Sequence, residues 1–297
     1  MKLVLLVLLL LITVPVQAQQ PDYSKVQIKA TKVAGNVYML EGAGGNIGVS
    51  VGADGILIVD DQFAPLADKI KASLKTLNPG KLRFILNTHF HNDHTGGNVA
   101  FGPDAPIIAH DNVRKRLSTD QYSKVFKSTT PASPKEALPV ITFNQSLTVH
   151  FNGEEIRAIH FPQGHTDGDS VIFFSASNVV HLGDDFFAGR FPFVDLDSGG
   201  SVEGLAKNIG ELIGKIPPEA KLIPGHGPIS TLDDLKAYHR MLLETTDIVR
   251  KKIAAKKSLE EIKQEGLPAE WNSWGTGFIK TDLWLELIYR SLTDKTN

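Results

Sequence analysis

Four side chains able to bind a metal ion crowd into six residues, His89-Phe90-His91-Asn92-Asp93-His94, directly after the apolar run Phe84-Ile85-Leu86. In an extended loop alternate side chains point the same way, so His89 and His91 can reach one ion while Asp93 and His94 carry the chain round to a second. Three further candidates lie far along the sequence. His165 sits in Gly164-His165-Thr166-Asp167-Gly168-Asp169, Asp184 in His181-Leu182-Gly183-Asp184-Asp185, and His226 in Ile223-Pro224-Gly225-His226-Gly227. Each follows a stretch that reads as a strand, and each has a glycine before it, which permits close backbone approach or a positive φ. The chain has no cysteine, so every available donor is nitrogen or oxygen, and no thiolate can serve as ligand or nucleophile. That donor set suits zinc, the expected metal, with iron or manganese as alternatives.

Rigid elements must hold these residues. Strands are expected at 26–28, 37–40, 47–51 and 56–59, separated by glycine-rich turns. Leu66, Ile70, Leu74 and Leu77 then fall on one face of a helix over 64–77. A short buried strand at 84–86 runs into the histidine loop, and a second strand and helix occupy 107–117. Residues 118–139, with Ser-Thr-Thr-Pro and a further proline at 134, read as a long surface loop. More strands follow over 141–159 and 171–182, and helices dominate after Val202. At the C-terminal end Leu285, Ile288, Tyr289 and Leu292 share one helical face. This order suggests two sheets packed together with helices outside.

The 297 residues are 42% hydrophobic and 22% charged, an ordinary globular composition. A net charge of -2, with no basic stripe interleaved with aromatics, speaks against a nucleic-acid partner. Met1-Lys2, the apolar run at 3–16 and the ending Val16-Gln17-Ala18 read as a cleaved secretory signal over residues 1–18, followed by one domain over 19–297. The run is short of the ~20 residues that a spanning helix needs, so no stable membrane insertion is expected after cleavage. A periplasmic or secreted protein is the expectation.

His-x-His-x-Asp-His, followed in order by Gly-His-Thr, Gly-Asp and Pro-Gly-His-Gly, resembles the metallo-β-lactamase superfamily over nearly the whole mature chain. The resemblance implies an α/β fold, the αββα four-layer sandwich, with two metal ions at one edge of the paired sheets and a small-molecule substrate. Carried onto this sequence, it implies that His89, His91 and His165 bind the first ion and Asp93, His94 and His226 the second. Asp184 matches the bridging aspartate of the glyoxalase II-like branch, and Asp60 matches a buried aspartate behind the metal loop. Two cations so close repel strongly, and a shared carboxylate relieves that repulsion. Asp93 is the catalytic candidate, orienting the attacking water or delivering a proton to the leaving group.

The chain departs from the β-lactamases it otherwise resembles, because Asp184 stands where they carry a cysteine and Phe187 where they carry a lysine for the substrate carboxylate. Arg190 is the nearest substitute cation. The expected function is a zinc-dependent, β-lactamase-like hydrolase that opens a β-lactam amide weakly; the alternatives are an ester, lactone or thioester hydrolase and a non-catalytic metal-binding accessory protein. His110, His150, His160, His181 and His239 fill no ligand position; His160 and His181 read as satisfied or half-exposed strand histidines, with support of the metal ligands as the alternative, Asp169 and Asp185 as loop hydrogen-bonding groups, residues 42–45 as a hairpin turn beside the site, and Lys251, Lys252, Lys256 and Lys257 as a solvated face.

Overall fold

Every residue of the strand Gly55–Val59 is buried, because its two faces meet different cores. Leu57 and Val59 point into one apolar cluster and Ile56 and Ile58 into another, as the two-residue period of a strand requires. The computed structural model describes residues 22–294, so the expected signal lies outside the described residues. Within them the strands are β1 Lys29–Ala34, β2 Val37–Glu41, β3 Ile47–Gly52, β4 Gly55–Val59, β5 Leu82–Leu86, β6 Ile107–His110, β7 Gln121–Ser123, β8 Ser128–Thr130, β9 Ile141–Phe143, β10 Ser146–Phe151, β11 Glu154–His160, β12 Ser170–Phe174, β13 Val179–Phe187 and β14 Lys221–His226. The helices are α1 Ala67–Leu77, α2 Asn92–Thr95, α3 Asn98–Phe101, α4 Asp111–Leu117, α5 Val202–Lys215, α6 Leu232–Ala254, α7 Leu259–Glu265 and α8 Thr281–Thr293.

Two mixed sheets form, ordered β1-β2-β3-β4-β5-β6-β9 and β10-β11-β12-β13-β14. Val37, Met39, Leu57, Val59 and Leu86 of the first sheet pack against Ile156, Ala158, Ile172, Phe174 and Ile223 of the second. The outer face of the first sheet is covered by Leu66, Ile70 and Leu74 on and before α1. Val180, Leu182 and Leu222 of the second sheet meet Ile209, Leu212, Leu242, Trp284 and Ile288 of α5, α6 and α8. Three cores between four layers make the αββα sandwich. Strands β4, β5 and β6 run parallel, as do β13 and β14, so both sheets present carboxyl strand ends from which loops can project side chains.

Four details differ from the sequence reading. The first strand starts at Lys29, not at 26: Val26 and Ile28 still pack on the α1 core, but Lys69 Nζ donates to the carbonyls of Tyr23, Ser24 and Val26 at 3.0, 2.7 and 2.7 Å. An ammonium therefore satisfies that backbone in place of a strand partner. Residues 118–139 contain a small hairpin, β7 against β8, rather than loop throughout. Asp184 lies inside β13, just after Gly183, whose φ of 53° marks a register break against β14. Of the four lysines, Lys252 is not solvated; it binds the Gly266 carbonyl at 3.0 Å and ties α6 to the end of α7.

Candidate metal centre

All seven expected side chains converge at the carboxyl ends of the strands. The chain leaves β5 at Leu86 and turns through His89 to His91, which starts the short helix α2 carrying Asp93 and His94. His165 follows β11, Asp184 lies in β13, and His226 ends β14, whose parallel register with β13 sets them side by side. Two clusters result. His89, His91, His165 and Asp184 offer ligand atoms within 4.8 Å of one another, and so do Asp93, His94 and His226. The Asp184 carboxylate spans both. Its Oδ2 lies 3.8 and 3.5 Å from Nε2 of His89 and His165, while its Oδ1 lies 3.0 and 3.4 Å from Nε2 of His94 and His226.

The outer nitrogens fix the tautomers. His165 Nδ1 contacts the Phe193 carbonyl at 2.7 Å, His94 Nδ1 contacts Asp60 Oδ2 at 2.7 Å, and His91 Nε2 contacts Asp195 Oδ2 at 3.0 Å. Each of those partners can only accept when a carboxylate is ionised, so each outer nitrogen carries the hydrogen. His89 Nδ1 meets Thr88 Oγ1 at 3.0 Å, and that hydroxyl spends its own hydrogen on Asp60 Oδ2 at 2.7 Å, so His89 Nδ1 is again the donor. With the outer nitrogens engaged in this way, His89 Nε2, His91 Nδ1, His94 Nε2 and His165 Nε2 are the nitrogens left to face the centre. His91 Nδ1 and His165 Nε2 face each other at 2.8 Å. His94 Nε2 and Asp184 Oδ1, 3.0 Å apart, are not aligned as a hydrogen bond, and His89 Nε2 likewise has no hydrogen-bond partner. Convergent buried ring nitrogens and carboxylate oxygens, with His89 Nε2, His94 Nε2 and Asp184 Oδ1 lacking any hydrogen-bond partner, fit divalent cations of the kind that nitrogen and oxygen donors bind.

The electrostatics point the same way. Burial opposes charge on His94 and His226, yet Asp184 and Asp93 outweigh it, raising His94 well above its ordinary pKa and His226 to about 9. Burial also opposes charge on Asp93, but His94 and His226 hold it down to about 2. Around the other cluster burial prevails: His89 is lowered well below the ordinary value and His165 to about 4. The field near Asp93 and Asp184 thus favours a cation, while burial keeps His89 and His165 opposite as neutral donors.

Gly45 and Gly225 show how closely backbone approaches this centre. A Cβ at Gly45 would overlap the His94 ring, and one at Gly225 would overlap Asp184 Oδ1. The turn at 42–46 is tied down by Gly45 N–H to the Asp93 carbonyl at 3.0 Å and by Asn46 Nδ2 to Pro224 and Gly227 carbonyls at 2.9 and 2.8 Å, so it forms a wall of the site. Gly45→Ala should keep the fold but displace His94 and weaken metal binding by about tenfold or more; calorimetric titration with zinc checks this, and wild-type affinity would contradict the stated clearance. His181 braces the same turn, its Nε2 meeting the Asn46 carbonyl at 3.1 Å. His110 and His160 stack at 3.6 Å away from the clusters, joining β6 to β11.

A cavity of about 500 Å³ opens over Asp93, Asp184 and His226. Phe187 stacks on His226 at 5.0 Å, with no cation at that position. Arg190 is the sole arginine or lysine among the lining residues. The sequence reading missed Asp195, 104 residues from its partner His91, and the aromatic side chains Tyr122, Phe126, Phe193 and Phe278 on the cavity wall. The clustering of phenylalanine around Arg190, at 187, 191 and 193, was the one available signal.

A family model described as the metallo-beta-lactamase superfamily matches residues 30–247. The alpha subunit of 2,4-dinitroanisole O-demethylase from Nocardioides sp. (strain JS1661) is 26% identical over 141 residues, 46% of this chain and 40% of that one. Hydroxyacylglutathione hydrolase from Gloeobacter violaceus is 27% identical over 174 residues, 58% of this chain and 59% of that one. The chain therefore spans only part of the length of both curated relatives. A metallo-beta-lactamase from Pontibacter korlensis superimposes with a TM-score of 0.59 at 16% identity, covering 73% of this chain and 99% of its own. A double mutant of the sec-alkyl sulfatase PisA1 gives 0.69 at 15% identity, covering 91% and 51%. At such identities the two structures share the fold.

Proposed function

Because the chain belongs to the metallo-beta-lactamase superfamily, we propose that it is a two-metal hydrolase of acyl substrates, with His89, His91 and His165 holding one ion, Asp93, His94 and His226 the other, and Asp184 between them. The observation that carries this reading is the divided Asp184 carboxylate, one oxygen turned to each histidine group. Zinc is the metal we assign to this histidine-rich set. When bound there, paired divalent ions lower the pKa of water and polarise a carbonyl.

The chain's own residues do the rest. Asp60 and Asp195 hold His94 and His91 in register through their outer nitrogens. Asp93, 30% exposed and on the cavity wall, is ionised and can take a proton from the attacking water and return it to the leaving group. Phenylalanines of the wall exclude bulk water and strengthen these contacts.

An ester or thioester is the substrate class we favour, since Asp184 replaces the cysteine of the otherwise similar β-lactamases and Phe187 caps His226 where a cation would hold a lactam carboxylate. The name of hydroxyacylglutathione hydrolase fits that class. A β-lactam amide is the second reading, supported by Arg190 as a cavity cation for the carboxylate.

Zinc-loaded protein should be assayed against esters, thioesters, lactones, a penicillin, a cephalosporin and a carbapenem. Turnover of acyl esters or thioesters above the lactams is expected. Asp93→Asn should lower it at least about 10²-fold while thermal unfolding stays near that of the unaltered protein. Bound metal with no turnover of any substrate would leave a non-catalytic metal-binding protein and end the hydrolase reading.

A further inference from the structure

Exposed large apolar side chains are few in the described chain, yet three of them, Tyr122, Phe126 and Phe278, gather at the cavity mouth with exposures of 57%, 43% and 75%. Phe278 and Phe126 begin a continuous aromatic ladder. Phe278 meets Phe126 at 5.7 Å between ring centres, Phe126 meets Phe193 at 5.1 Å, and Phe193 meets His91 and His165 at 5.8 and 5.9 Å. The ladder thus runs from solvent to the metal centre. Its hairpin is anchored, with Lys124 N–H and Nζ bonded to Asp197 at 2.7 and 3.1 Å and the Gln121 side chain bonded to Arg116. Solvent-facing phenylalanines carry a hydration cost that a monomeric protein ordinarily avoids in a cluster, and an apolar ligand would remove it.

A lone cation accompanies this wall. Arg190 lines the cavity and is only partly exposed, its stem passing Gly277 next to Phe278. Among the described residues its guanidinium has no ion pair and no hydrogen bond. The carboxylates lining the cavity, Asp93, Asp184 and Asp195, all contact the clustered histidines instead. A guanidinium held in aromatic surroundings without a counter-ion favours a ligand anion.

We infer that the substrate is an elongated amphiphilic anion: an apolar body laid along Phe193, Phe126 and Phe278, with an anionic group at Arg190 distal to the bond that is cleaved. This rests on the hydrolase reading only for which end lies at the metals. A cavity of about 500 Å³ accommodates such a body.

Binding of 1-hexanesulfonate, 1-octanesulfonate and 1-decanesulfonate to the zinc-loaded protein, followed by calorimetry below their micelle concentrations, tests it without any turnover. Affinity should rise roughly two- to fourfold per methylene. Phe126→Ala/Phe278→Ala should flatten that dependence and weaken decanesulfonate about tenfold or more, with an unchanged melting temperature, since both side chains are exposed. Arg190→Gln should weaken every sulfonate about tenfold and abolish the preference for decanesulfonate over decyltrimethylammonium. Affinity independent of chain length, or variants that bind as the unaltered protein does, would overturn the inference. A protein that shows the expected binding pattern yet hydrolyses nothing refutes the hydrolase reading alone; one that hydrolyses esters with flat sulfonate binding refutes this inference alone.

Discussion

Asp184→Asn should lose an ion from the centre and lower kcat/KM by about 10²–10⁴-fold. The carboxylate is 5% exposed and faces both histidine groups, so on the two-metal reading an amide there would no longer offset the repulsion between the ions. Removing one partner of a buried charge pair costs about 3–5 kcal/mol, and each 1.36 kcal/mol is tenfold. Metal content by elemental analysis, set beside kcat/KM on the best ester, reads the effect directly. The metal-free protein gives an independent readout. Against the opposing effect of burial, Asp184 is the leading carboxylate that raises His94 and His226, so the substitution should bring His226 down from about 9 towards its ordinary value in an NMR titration. The linkage has a definite sign. A histidine whose folded pKa lies above about 6.5 adds stability that is complete below that pH and disappears as pH rises through the folded value. The metal-free protein should therefore lose this contribution between pH values of roughly 6.5 and 9, and Asp184→Asn should flatten that slope. Two ions per chain and activity within tenfold of the unaltered protein would contradict the bridging role.

Much of this centre was legible because its residues announce themselves locally. Four candidate ligands in six residues after a strand need no tertiary information to be noticed, and each distant partner follows a glycine that must admit close backbone. The strand at 56–59 and the stripe of α1 were equally plain, the one a short apolar run bounded by turn residues and the other spaced at the helical period. The rest depended on contacts that periodicity cannot encode. β7 and β8 are three-residue strands rich in serine and threonine, too short to alternate, so their pairing was hidden in an apparent loop. Val26 and Ile28 looked like strand because they are apolar and alternate, but Lys69, 43 residues beyond Val26, took the Val26 carbonyl itself. The aromatic ladder draws on residues 126, 193 and 278, three separate loops that only the fold brings together. Asp195 was invisible for the same reason, although it orients His91 as Asp60 orients His94.

Asp60 offers the second large effect, and it separates holding a ligand from being one. Its Oδ1 accepts from Thr88 N–H at 2.8 Å, and its Oδ2 accepts from Thr88 Oγ1 and His94 Nδ1 at 2.7 Å each, all fully buried. Its φ of 63° is a conformation that aspartate and asparagine tolerate better than alanine. Asp60→Ala should therefore destabilise the protein by about 4 kcal/mol or more, combining three buried donors left unpaired at about 1–3 kcal/mol each with backbone strain of about 1–2 kcal/mol. Chemical denaturation measures that loss. Asp60→Asn keeps the shape and the backbone, and its amide oxygen can still accept from Thr88 N–H. Its NH₂, however, meets the Nδ1 hydrogen of His94 donor to donor. His94 relieves the clash by moving its hydrogen to Nε2, the nitrogen that must face the ion bare. Zinc affinity should then fall about 10–100-fold with far less loss of stability than in the alanine variant. An asparagine variant that binds zinc as tightly as the unaltered protein would show that the His94 tautomer is fixed by something other than Asp60.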